Sequence, residues 1–115
     1  MSNRYKEGML REDALQGKVI AITGGGTGLG RSMGEYFLEL GANLAICGRR
    51  LEVVQKAAKE MEEAHGGKVL ACSCDVRKYE EVEAFHKAVI DEYGQVDVLL
   101  NNAAGNFISP TERLS

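Results

Sequence analysis

From residue 18 onward the apolar positions of this chain switch between two periods. Lys18 to Thr23 (KVIAIT) is a continuous, β-branched apolar run of strand length and predicts a first strand. Leu29, Met33, Phe37 and Leu40 then recur at helical spacing, and Gly41 is placed to end that helix. Asn43 to Cys47 predicts a second strand. Leu51, Val54, Ala58 and Met61 form the inner face of a second helix, which Gly66-Gly67 stops. Lys68 to Cys74 predicts a third strand, Val82, Phe85, Val89 and Tyr93 a third helix ended by Gly94, and Val96 to Leu100 a fourth strand. Strands this apolar on consecutive positions are buried on both faces, as in a parallel sheet covered by helices. The pattern therefore predicts an α/β, doubly wound parallel sheet in the order 3-2-1-4, with a crevice at the carboxyl ends of strands one and four.

The length of 115 residues allows one domain with a real core and leaves no room for a second. Charged residues at 27%, apolar residues at 44% and a net charge of -3 fit an ordinary globular protein. No basic cluster offers the electrostatic affinity that nucleic acid or an anionic membrane surface would need. Nor does any apolar run approach the roughly 20 residues of a membrane span. Residues 1–17 read as an N-terminal extension without the apolar core of a signal peptide, so the expected location is the cytoplasm, or the mitochondrial matrix for a eukaryotic source. Cys47, Cys72 and Cys74 all fall in strand-like apolar runs and read as buried, reduced thiols. A zinc site wants four ligands, and His65 and His86 lie in helical segments, so no metal is expected.

The first strand breaks into Gly24, Gly25, Gly26, Thr27, Gly28, Leu29 and Gly30, after which a helix begins. A strand feeding a glycine-rich turn feeding a helix presents bare N–H groups and a positive helix end to a phosphate. Two other readings compete. Gly25-x4-Gly30-Arg31-Ser32 has P-loop spacing with arginine for lysine, a poor replacement between the outer phosphates, and Asp75 is its weak candidate for magnesium. A turn that serves only the fold seldom needs five glycines in seven residues. An acidic residue about 20 positions past the glycines accepts the ribose hydroxyls of NAD in nucleotide folds of this kind. Here the end of the second strand holds Gly48, then Arg49 and Arg50. With no carboxylate to repel a 2′-phosphate and a guanidinium to bind it, the expected cofactor is NADPH, with Arg49 as the phosphate ligand and Arg50 and Arg31 as helpers.

Thr23-Gly24-Gly25-Gly26-Thr27-Gly28-Leu29-Gly30 resembles the T-G-x-x-x-G-x-G cofactor motif of the short-chain dehydrogenases/reductases. Cys74-Asp75-Val76 is similar to that family's acidic residue after the third strand, and Asn101-Asn102-Ala103-Ala104-Gly105 to its N-N-A-G motif after the fourth. The resemblance implies a Rossmann-type fold, an adenine contact at Asp75 with the Val76 backbone near the ring, and a cofactor cleft lined at Asn102 and Ala103. The tail from Asn101 to Ser115, with its double alanine followed by Gly-Asn-Phe, is similar to the 2,4-dienoyl-CoA reductase subgroup. That narrower likeness implies an NADPH-dependent reductase of acyl-CoA thioesters, with substrate contacts at Arg49, Arg77, Phe107 and Ser115, in a homo-oligomer, a tetramer. A 3-oxoacyl reductase of the same family is the neighbouring alternative.

The family's reaction also needs a Tyr-x-x-x-Lys pair. Four residues after Tyr5, Tyr36, Tyr79 and Tyr93 stand Met9, Leu40, Glu83 and Asp97, so no catalytic residue is assigned in this chain. Residues 18–115 are expected to be the first part of a single NADP-binding domain, truncated before that pair, with the second half of the sheet incomplete. Alone, such a chain is expected to bind a nucleotide without turning it over.

Overall fold

Val19–Thr23, every residue buried, extends as β1 and runs through the middle of the sheet. In the computed structural model, which describes residues 14–26 and 28–102, three helices and three further strands follow. They are α1 (Gly28–Glu39), β2 (Asn43–Gly48), α2 (Leu51–His65), β3 (Val69–Ser73), α3 (Tyr79–Tyr93) and β4 (Val98–Asn101). All strand pairs are parallel and the order is β3-β2-β1-β4, as the apolar pattern predicts.

Strand alternation divides the core into two layers. Ile20, Ile22, Leu44, Ile46 and Val69 face α1 and α2, where they meet Leu38, Val54, Ala57, Ala58 and Met61. Val19, Ala21, Ala45 and Cys47 face the other way, toward Phe85 and Val89 of α3 and toward Cys74. Large aliphatic side chains thus fill the two-helix face, and small ones let the single helix α3 approach. Ile22, Leu44, Ile46 and Met61 are fully buried, each worth about 1.5–3 kcal/mol relative to exposure.

The helical stripes correct two expectations. Leu29 and Leu51, read as inner-face residues, are 67% and 40% exposed. Both stand in the first turn of a helix at the carboxyl end of the sheet, and Leu29 there lines the crevice. The face of α1 that packs inward is Gly30, Gly34 and Leu38, with Met33 and Phe37 partly buried beside it. A Cβ on Gly34 would lie 2.9 Å from both Leu44 and Met61, so glycine there lets α1 sit close against the sheet. Apolar periodicity counts large side chains and passes over such contacts. The fourth strand also starts two residues later than expected, at Val98, because Asp97 is used as a cap. Its carboxylate Oδ2 accepts the Val19 N–H at 2.8 Å, and its own N–H donates to the Val19 carbonyl at 2.8 Å.

Candidate functional site

The four strand ends converge on a cleft of about 830 Å³, lined by Gly24, Gly28, Leu29, Gly48, Arg49, Cys74 to Arg77, Asn101 and Asn102. The ladder carries on into these ends. Gly24 N–H donates to the Cys47 carbonyl at 2.7 Å, and Cys74 N–H to the Gly48 carbonyl at 2.8 Å. The expected site residues Gly24, Gly28, Leu29, Arg49, Asp75, Val76, Arg77 and Asn102 are thereby brought together from distant stretches of chain. Thr27, Ala103, Phe107 and Ser115 lie outside the described residues.

Glycine is required at the turn for two different reasons. Gly24 has φ +72°, a conformation that L side chains rarely adopt. At Gly30 the reason is space, since a Cβ would fall 2.3 Å from the Gly24 carbonyl oxygen and 2.8 Å from Asn102 Nδ2. Gly25 is similarly excluded by Ile46, at 2.4 Å. The backbone of the turn is therefore drawn down onto the sheet, and the first turn of α1, which carries no acidic residue, opens toward the cleft. A bare helix N-terminus behind a close backbone suits a pyrophosphate. The turn is also tied to β4. Thr23 Oγ1 donates to Asn101 Oδ1 at 2.9 Å, and Asn102 Nδ2 donates to the Gly24 carbonyl at 3.4 Å.

At the end of β2, Arg49 lines both the main cleft and a second recess of about 330 Å³. The recess is walled by Gly24, Gly26, Gly48, Arg49, Arg50, Val53 and Val54 at the N-terminus of α2. Val53 was not singled out from sequence, and Val54 was read there only as an inner-face residue of the helix. The Arg50 Nε lies 3.5 Å from Glu52, with both side chains well exposed. Arg31, expected as a helper for the phosphate, is instead engaged by Glu60 at 2.9 Å across the α1–α2 seam and by Glu35 of its own helix at 3.1 Å. A guanidinium held by two carboxylates has little charge to offer a phosphate.

Asp75 stands on the opposite wall, and its carboxylate is 14% exposed. Oδ1 accepts the Arg77 backbone N–H and Nε, each at 3.0 Å, and Oδ2 accepts Nη2 at 3.0 Å. The side-chain bond from Arg77 is the main reason that this carboxyl is held well below the usual carboxylate range. Asp75 is thus a turn aspartate and a cleft residue at once, and Arg77, expected at the substrate's phosphates, has its guanidinium on Asp75. Cys47 and Cys74 are buried, and burial first, then their mutual contact, pushes the Cys47 thiol far up. Cys72 is half-buried, and all three are free.

Three comparisons place this geometry among known proteins. The family model for short chain dehydrogenases matches residues 18–115. An uncharacterised oxidoreductase of Caenorhabditis elegans is 47% identical over 103 residues, covering 89% of this chain and 33% of that protein. The peroxisomal 2,4-dienoyl-CoA reductase of Mus musculus is 43% identical over 103 residues, covering 90% of this chain and 35% of the mouse enzyme. The chain thus spans about a third of the length of these curated relatives. Among solved structures, the L-sorbose reductase of Gluconobacter frateurii complexed with NADPH and L-sorbose superposes with a TM-score of 0.73 at 31% identity, covering 77% of this chain and 34% of that one. With the matched family model spanning the whole sheet and its glycine turn, this chain belongs to the short-chain dehydrogenase/reductase family, whose members bind a nicotinamide dinucleotide.

Proposed function

We propose that the cleft binds NADPH and that residues 18–115 are the cofactor-binding part of a reductase of 2,4-dienoyl-CoA thioesters, preceded by an extension over residues 1–17. One observation carries the choice of cofactor: β2 ends at Gly48, where an NAD enzyme of this fold presents a carboxylate, and the cation Arg49 follows directly. Arg49 forms no ion pair among the described residues and faces a recess at the positive end of α2, a setting that favours a 2′-phosphate. Arg50 is its helper in this reading. Gly24, Gly25, Gly26, Thr27, Gly28, Leu29 and Gly30 take the pyrophosphate and nicotinamide side, Asp75 and Val76 the adenine, and Asn102 and Ala103 the floor of the cleft. The NADPH held by the L-sorbose reductase supports the same reading.

The substrate class rests on the mouse relative and on the Asn101 to Ser115 stretch. Arg49, Arg77, Phe107 and Ser115 are the proposed contacts to the acyl-CoA, in a homotetramer. Bound in this cleft, NADPH would supply the hydride for the far end of the conjugated system. The chain's own residues bind and orient the dinucleotide, and no Tyr-x-x-x-Lys pair occurs within these 115 residues. As for location, the cytoplasm expected from composition stands against the peroxisomal name of the mouse relative. No helix among the described residues is long and apolar enough to cross a membrane.

The test is an assay of the full-length protein with NADPH and a 2,4-dienoyl-CoA, followed by loss of the dienoyl absorbance. Turnover supports the reading. No turnover, beside good turnover of a 3-oxoacyl thioester, assigns the protein to the family's ketone reductases.

A further inference from the structure

Asp75 is fixed at three points, and one of them comes from a residue that does not line the cleft. Glu81, the third residue of α3, reaches back so that its Oε1 accepts the Asp75 backbone N–H at 2.7 Å. In a capping box a carboxylate at this helix position satisfies the N-cap N–H. Here the N-cap is Lys78, and the bond skips past it to the cleft residue three positions earlier. The Asp75 carbonyl accepts the Lys78 N–H at 2.9 Å, and Arg77 holds the carboxylate from its outer side. Glu81 Oε2 lies 3.9 Å from Lys78 Nζ, so the same side chain also braces the helix start.

These bonds leave a defined remainder. A carboxylate oxygen has two acceptor sites. The Arg77 N–H and Nε occupy both on Oδ1, and Nη2 occupies one on Oδ2. One acceptor site on Oδ2 is therefore left at the cleft wall. A fixed acceptor beside a purine pairs with a 6-amino group, which donates, and is mismatched with a 6-oxo group, which only accepts.

We infer that Glu81 is a positioning residue for base selection: by holding the Asp75 N–H it aims the free acceptor of Oδ2, so that the cleft takes adenine over a 6-oxopurine. The inference rests on the reading that Asp75 faces the adenine of the dinucleotide.

The experiment titrates NADPH and its hypoxanthine analogue into the full-length protein and into Glu81→Ala and Glu81→Gln, following nicotinamide fluorescence. Wild type should bind the adenine form about tenfold more tightly. Glu81→Ala should shrink that preference to about twofold by weakening the adenine form alone, and Glu81→Gln, which keeps an acceptor for the Asp75 N–H, should restore it. Should Glu81→Ala not fold, Glu81→Asp keeps the charge but falls short of the Asp75 N–H, and it must lose the preference too. Equal weakening of both dinucleotides, or an unchanged preference, overturns the role of Glu81. Equal binding of both by wild type instead removes the adenine from Asp75, and the inference goes with it.

Discussion

Asn102 Nδ2, at the end of β4, donates to the carbonyl oxygen of Gly24, at the end of β1, across 3.4 Å. The small gap between them is where a side chain on Gly30 would have to go. Two motifs that lie 78 positions apart in the chain are therefore one packed unit, in which the glycine turn is held at both ends.

Gly30→Ala should break that unit. The added Cβ would meet backbone at 2.3 Å, and backbone cannot swing aside as a flexible side chain can. We expect a loss of about 1–3 kcal/mol in stability and the loss of dinucleotide binding. Urea denaturation and a fluorescence titration check the two effects, and a variant that binds NADPH normally would show that the turn has room to spare.

Asp97 joins the starts of β1 and β4, and its effect on stability should depend on acid. The hydrogen bond from the Val19 N–H is the main cause that lowers the Asp97 pKa. A carboxyl whose folded pKa is depressed contributes stability above its unfolded value, near 3.9, and that stability drains away as pH falls further. Asp97→Ala also strands the N–H of Val19, a residue only 2% exposed, at a cost of about 1–3 kcal/mol. Denaturation midpoints at pH 7 and pH 3 should show a larger difference between wild type and variant at pH 7.

At the alkaline end Tyr93 contributes alongside the buried thiol of Cys47. Its hydroxyl donates to the Leu44 carbonyl at 2.9 Å, and burial, followed by Glu92 and Glu62, raises its pKa well above the usual tyrosine range. A raised folded pKa means that this contribution is intact below about pH 10 and is lost above it, because the unfolded chain releases the proton first. Stability of wild type should decline from pH 10 to 11. Tyr93→Phe should start about 1 kcal/mol lower at pH 8 and decline less steeply. Parallel declines would assign the alkaline loss to other groups.

Much of this was legible in the chain because strands buried on both faces announce themselves. β1 and β2 are read directly from VIAIT and NLAICG, and their order follows from the helices between them. Glycine spacing located the turn, since Gly24 and Gly30 answer to conformational and steric limits that no other residue meets. What stayed hidden was pairwise. Nothing in the residue types says that Arg31 is engaged by Glu60, 29 positions on, or that Arg77 grips Asp75. Leu29 and Leu51 misled because a helix period does not say where the sheet stops beneath the helix. The bond from Glu81 to Asp75 was within reach, since a glutamate at the third helical position is a capping signal.

The central claim is that Arg49 makes this cleft an NADPH site, and calorimetric titration of NADPH and NADH into wild type and Arg49→Ala tests it most directly. A charge-assisted pair with the 2′-phosphate is worth about 1.5–3 kcal/mol, so wild type should favour NADPH by roughly 10- to 100-fold. Arg49→Ala should remove most of that preference while NADH affinity holds. Equal losses for the two dinucleotides, or a wild type that binds NADH as tightly as NADPH, would contradict the account.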